Sequence, residues 1–322
     1  MRAAWLFPGQ GAQLVGMGRD LCDASPAARG IFARADAALG ESLSRLCFDG
    51  PIETLTLTAN TQPAVLATSL AVLAALRERH PGLPLPVCAA GHSLGEYSAL
   101  VAAGAIELED GVRLCRLRGA AMQQAAPLAS GAMSAIVGLD AEVVERLCAE
   151  VARTREGQVV SPANFNAPDQ TVIAGHASAV AAVEALAWER GARSVALKVS
   201  APFHCSLMAP ARQQLDPVLR QTRLGPLRFP VLANVDAEPR QEPETVREAL
   251  LRQLDSPVQW VGTLRRLGQL SVTHVLEIGP GRVLAGLVKR TARDIEVLSV
   301  GTMAAIAKVP AFLGLELGPA MS

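Results

Sequence analysis

Ser93 stands in Gly91-His92-Ser93-Leu94-Gly95, between an apolar run at 84–90 and a helical pattern at 96–105. A serine on so tight a strand-to-helix turn has its hydroxyl pushed out of the fold, and small flanking glycines let the backbone make the bend. The first amides of the following helix point at the same spot and can stabilise a negative oxygen there. Acyl transfer and ester hydrolysis need that arrangement. The turn also constrains the architecture, because it needs a buried strand feeding directly into a helix.

The rest of the chain supports an α/β reading. An opening strand at 3–7 runs into the glycine-rich loop Pro8-Gly9-Gln10-Gly11-Ala12-Gln13. Apolar periodicity predicts helices at 26–39, 62–79, 96–104 and 109–126. Residues 131–199 read differently: strand 132–137, helix 141–153, strands 158–163 and 170–174, helix 177–190, strand 192–198. That βαββαβ order is the ferredoxin-like unit, which suggests a small domain (129–199) inserted in a larger one (1–128 and 200–322). A strand at 229–234, a helix at 257–268, a strand at 273–278 and a helix at 282–292 complete the larger domain. The alternation implies a mostly parallel sheet with helices on both faces.

Composition excludes several classes. Charges balance at 30 against 30, so nucleic acid and anionic membranes lack an electrostatic footprint. Half of the 322 residues are hydrophobic, enough for a sizeable core, yet no uninterrupted apolar stretch reaches membrane-spanning length. The residues before Pro8 are too few for a signal-peptide core. Six scattered cysteines form no Cys-x-x-Cys pair, and the five histidines show no ligand spacing. Reduced thiols, a cytoplasmic location and no metal are the expectation. The tail from Thr302, apolar but broken by Lys308, Pro310 and Pro319, is read as lying on the core.

Ser93 needs a base. His92 is adjacent but points elsewhere on such a turn, whereas His204 sits where the chain re-enters the main domain; as a base it competes with a merely hydrogen-bonded histidine. No acid stands out as a third member, and a backbone carbonyl can orient the imidazole instead. Arg118 lies in the middle of the apolar face of the helix at 109–126. A buried guanidinium requires an anionic partner, either an internal acid or a carboxylate-bearing substrate. Gln259 in Ser256-Pro257-Val258-Gln259 reads as part of a capping box with Pro257 at the first helical position, and Gln62 before Pro63 reads as a cap. Glu277-Ile278-Gly279-Pro280-Gly281 resembles a phosphate loop but lacks its Lys-Ser/Thr ending; a plain turn is the better reading. Asn164 and Asn166 either line a pocket or shape a turn.

Nine blocks together resemble one family: FPGQGAQ (7–13), TQPA (61–64), GHSLGEYSAL (91–100), RLRGAAMQ (116–123), GAMSAIVGL (131–139), NFNAPDQTVIAG (164–175), FHCSLM (203–208), SPVQW (256–260) and EIGPGRVL (277–284). The family is that of the malonyl-CoA:acyl-carrier-protein transacylases of fatty-acid synthesis and the related acyltransferase domains of polyketide synthases. The resemblance covers about residues 1–300 and implies a large α/β-hydrolase-like domain with a ferredoxin-like insert. It implies Ser93 as nucleophile, His204 as base, and the backbone amides of Gln10 and Leu94 as oxyanion hole. Arg118 would hold the malonyl carboxylate beside Gln62, and the backbone carbonyl of Gln259 would orient His204. Phe203 matches the bulky residue of malonyl-selective relatives, where methylmalonyl-selective ones usually carry serine.

The implied partners are malonyl-CoA and an acyl carrier protein, with no metal or redox cofactor, in a monomer. Rival readings are a trans-acting polyketide acyltransferase, the transacylase subunit of a malonate decarboxylase, an acyl hydrolase of the same fold, and a non-catalytic carrier-docking module. Arg118 argues against the hydrolase, and the full set of Ser93, His204 and Arg118 argues against the docking module.

Overall fold

The computed structural model describes residues 1–125, 131–197, 199 and 201–315. The expected domain junctions, at 128–129 and at 200, and the last residues of the tail lie outside these. The strands in chain order are β1 (Ala3–Phe7), β2 (Cys88–Gly91), β3 (Gly131–Val137), β4 (Val160–Ala167), β5 (Gln170–His176), β6 (Arg193–Ala196), β7 (Val231–Leu232), β8 (Pro239–Arg240), β9 (His274–Ile278) and β10 (Glu296–Val300).

Two sheets result. The first has the order β10-β9-β1-β2-β7-β8. Every pairing in it is parallel except the β7–β8 edge. β1 is a continuous apolar run, as a strand covered on both faces should be. Its residues alternate between two cores: Trp5 and Phe7 pack on one side of the sheet, Ala4 and Leu6 on the other. β2 starts at Cys88, not at residue 84, because Pro84 and Pro86 cannot donate to a ladder.

The second sheet, β4-β5-β3-β6, is wholly antiparallel. Helices Ala141–Thr154 and Ala177–Trp188 cover one of its faces, where Ile136 packs with Val144, Leu147 and Val180. Met133, Ala135 and Val172, on the other face, join the main core. This is the anticipated βαββαβ unit, and its second face is free to wall a cleft against the larger sheet.

Helix Thr58–Arg79 is long and apolar enough to span a membrane, but it is buried as the central helix of the fold. It begins ahead of the expected start, with Gln62 and Pro63 inside it, so Gln62 is no cap. The helix expected from 257 begins at Trp260. Val258 instead makes a strand-like tie to β4: Phe165 N donates to Val258 O at 2.9 Å and Val258 N to Ala163 O at 2.8 Å. Helix Pro243–Gln253 and strands β8 and β10 were not anticipated. The tail does lie on the core as far as residue 315: Thr302 caps helix Met303–Ile306, and Ile306, Val309 and Leu313 are buried.

Candidate active site

β2 ends in the Ser93 turn, and helix Gly95–Ala103 starts there. Ser93 has φ of 53°, the left-handed region an L-residue rarely adopts. The flanking glycines are required by close approach. A Cβ on Gly91 would sit 1.9 Å from Gly95 O, and one on Gly95 would sit 2.1 Å from Phe7 O. Asn234 pins the turn: Ser93 N donates to its Oδ1 at 2.7 Å, and its Nδ2 donates to Gly91 O at 2.7 Å.

Ser93 Oγ lies 2.8 Å from His204 Nε2, although the two are far apart in sequence. His204 Nδ1 lies 2.9 Å from Gln253 O. A carbonyl only accepts, so Nδ1 carries the proton and Nε2 is left as acceptor for the serine hydroxyl. The orienting carbonyl is therefore that of Gln253, not that of Gln259. Gln259 O is spent on Thr263 N at 2.8 Å in the first turn of its helix, and its side chain makes no cap bond, so the capping box is absent as well. His92 points away, as expected: its Nε2 bonds Asn166 Oδ1 at 2.8 Å and its ring packs on Trp260.

Arg118 is 1% exposed, and among the described residues its hydrogen-bond partners are all neutral. Nη1 donates to Gln62 Oε1 at 2.8 Å; Nη2 donates to Gln253 Oε1 at 2.8 Å and to Ser93 Oγ at 3.0 Å. Its Nε is buried with no acceptor. Among the described residues no acid bonds Arg118 directly, so the internal ion pair considered from the sequence is not formed there. The cation lies beside the Ser93 hydroxyl.

A cavity of about 260 Å³ opens between the two sheets, lined by Ser93, His204, Arg118, Gln62, Phe203, Asn164 and Asn166 among others. Gln10 and Leu94 border it, and neither backbone amide donates to a protein acceptor among the described residues. Two free amides beside a serine hydroxyl suit an oxyanion.

The Acyl transferase domain model matches residues 4–311, nearly the whole chain. The chain belongs to the acyltransferase family. This acyltransferase is 46% identical over 311 residues to the malonyl CoA-acyl carrier protein transacylase of Haemophilus influenzae, covering 96% of this chain and 98% of that one. It is 44% identical to the enzyme of the same name from Escherichia coli (strain K12), covering 94% and 97%. Among solved structures, an acyl carrier protein S-malonyltransferase from Vibrio cholerae superposes with a TM-score of 0.92 at 43% identity, over 96% of this chain and all of that one. A second, described as a type II PKS acyl-carrier protein in complex with its malonyl-transacylase, gives 0.92 at 45%, over 98% and 100%.

Burial shapes the acyltransferase's electrostatics. It pushes His204 down to about 3, with Arg118 as the next cause, so the imidazole is neutral. Cys205 is no competing nucleophile: burial raises its thiol to about 11, and Sγ donates to Pro202 O. The Glu277 loop holds its own carboxylate where a phosphate would sit: Leu284 N, Ala285 N and Ser299 Oγ all donate to Glu277. Sequence reasoning missed Gln253, Asn234 and Glu96. Gln253 had a readable signal, since it extends the buried stripe of Val246, Ala249 and Leu250 along its helix.

Proposed function

We propose that this acyltransferase moves a malonyl group from malonyl-CoA to the phosphopantetheine thiol of an acyl carrier protein through a malonyl ester on Ser93. The observation that carries the reading is Arg118: a buried guanidinium whose Nε has no acceptor, whose Nη2 lies 3.0 Å from Ser93 Oγ, and which no acid among the described residues bonds directly. An acyl group ending in a carboxylate supplies the missing partner, and Gln62 holds the other edge of the fork.

In the first half-reaction Ser93 Oγ attacks the thioester carbonyl and His204 Nε2 takes its proton. The oxyanion rests on the amides of Gln10 and Leu94. The C–S bond breaks, the leaving CoA sulfur takes the proton from His204, and malonyl-Ser93 remains. In the second half the carrier thiol gives its proton to His204 and attacks the ester. The C–O bond breaks and Ser93 regains the proton. The cycle uses no metal and no cofactor beyond the thioester.

Arg118 also lowers the basicity of His204. A bound carboxylate weakens that effect, so His204 becomes a stronger base once the right acyl group is in place. We read the protein as a monomer of the cytoplasm, a compartment in keeping with six buried, unpaired cysteines. Carriers of fatty-acid and of polyketide synthesis both fit this chemistry.

Intact-protein mass spectrometry after incubation with malonyl-CoA tests the reading. Wild type gains one malonyl adduct and loses it on adding holo carrier protein. Ser93→Ala gains none, and an adduct that survives the substitution removes Ser93 from the mechanism.

A further inference from the structure

Glu96 has no role in the cycle above, yet it is 2% exposed and lies directly beneath the nucleophile turn. It is in the first turn of helix Gly95–Ala103, where the helix N-terminus favours a negative charge. Its Oε2 accepts from Gln253 Nε2 at 2.8 Å and from Asn234 N at 3.0 Å. Gln253 Nε2 also donates to Ser93 O at 2.9 Å, while Gln253 Oε1 accepts from Arg118 Nη2 at 2.8 Å.

The amide of Gln253 thus lies between a buried carboxyl group and a cation, and its two ends are not interchangeable. Flipped, its NH2 would face the guanidinium, donor against donor, and its oxygen would face the Glu96 carboxylate and Ser93 O, acceptor against acceptor. Glu96 is the acid that makes the flipped state costly at the far end. It does so without touching Arg118. A direct ion pair would occupy the fork that the acyl carboxylate needs, whereas one intervening amide orients the guanidinium and leaves its other donors open.

We propose that Glu96 is a positioning residue for acyl selectivity: acting through the Gln253 side chain, it holds Arg118 in the orientation that receives the acyl carboxylate. This rests on the reading of Arg118 given above. Burial raises the Glu96 carboxyl to about 7, in keeping with a group kept for its place in a network and not for solvation.

The test is the ratio of kcat/KM for malonyl-CoA to that for acetyl-CoA in single and paired variants. Glu96→Ala should lower the malonyl value about tenfold and the acetyl value by less than about threefold, because acetyl has no carboxylate for Arg118 to hold. Glu96→Gln keeps an acceptor oxygen for Gln253 Nε2 and Asn234 N and should restore the ratio to within about threefold of wild type. In a Gln253→Leu background, Glu96→Ala should shift the ratio no further, since the relay is already cut. If Glu96→Ala does not fold, Gln253→Leu alone must shift the ratio in the same direction, because it keeps the carbonyl that holds His204.

A ratio unchanged in both Glu96→Ala and Gln253→Leu, or a Glu96 effect that persists in full beside Gln253→Leu, overturns the proposal. Arg118→Ala separates the two readings. If it shifts the ratio and Glu96→Ala does not, only the Glu96 proposal fails. If Arg118→Ala leaves the ratio alone, the Arg118 reading fails and takes the proposal with it.

Discussion

Arg118→Ala should change which acyl group is transferred more than how fast the serine works. The substitution has two separable effects. It leaves Gln62 Oε1, Gln253 Oε1 and Ser93 Oγ without their donor and removes the charge that lowers His204, changes felt equally by every acyl substrate. It also removes the charge-assisted partner of the malonyl carboxylate in a sheltered cavity, which only malonyl feels. Hydrogen bonds to charged groups contribute about 1.5–3 kcal/mol each, so a two-pronged contact amounts to roughly 3–6 kcal/mol. At about 1.4 kcal/mol per tenfold, malonyl transfer should fall by about 100-fold or more relative to acetyl transfer. Acetyl and water should gain access to a site no longer held by a cation, so hydrolysis of acyl-CoA should rise as a share of turnover. The assay is transfer to holo carrier protein with each CoA thioester, resolved by mass spectrometry, alongside free-acid release. Equal loss of malonyl and acetyl transfer would show that Arg118 is structural.

Phe203 is nearly buried on the cavity wall, so Phe203→Ser should open room for an α-methyl and narrow the malonyl-over-methylmalonyl preference by about 10-fold or more; equal use of both thioesters by the wild type would refute the role of the ring. Gly95→Ala forces a methyl to 2.1 Å from Phe7 O, so it should cost about 3 kcal/mol or more, seen as a clear drop in Tm together with loss of Ser93 acylation. An unchanged Tm would mean that the turn has more room than its geometry allows. The Glu96 carboxyl is raised from 4.5 to about 7, so its stabilising contribution is full below pH 4.5 and is lost as pH rises through 7. Lowering the pH from 7 to 5 therefore adds stability through Glu96, by up to about 1.4 kcal/mol per pH unit, and offsets the charging of His204, whose lowered value acts in the opposite direction between 6.5 and about 3. Glu96→Gln should accordingly lose stability more steeply than wild type over that interval in urea titrations; parallel slopes would contradict the raised value.

What could be read along the chain was whatever one short stretch encodes by side-chain type. The Ser93 turn, the βαββαβ insert and the buried face carrying Arg118 each lie within a single strand-turn-helix, unit or helix, and their periodicity is local. His204, the proposed base, was legible because imidazole is a rare chemical type at a block boundary. The partner that orients it was not. Every residue has a backbone carbonyl, so composition cannot say which one faces Nδ1; the path of the chain through helix Pro243–Gln253 places that of Gln253 there and leaves that of Gln259 inside its own helix. Glu96 sits two residues past Leu94 in plain view, yet its partner Gln253 is 157 positions away. Only the packing of that helix against the nucleophile turn makes one network of an acid, an amide, a guanidinium and a serine. Local pattern determined which residue types stood near the chemistry. Tertiary structure decided which polar atoms meet, because hydrogen-bond pairing depends on distances of about 3 Å that no sequence spacing records.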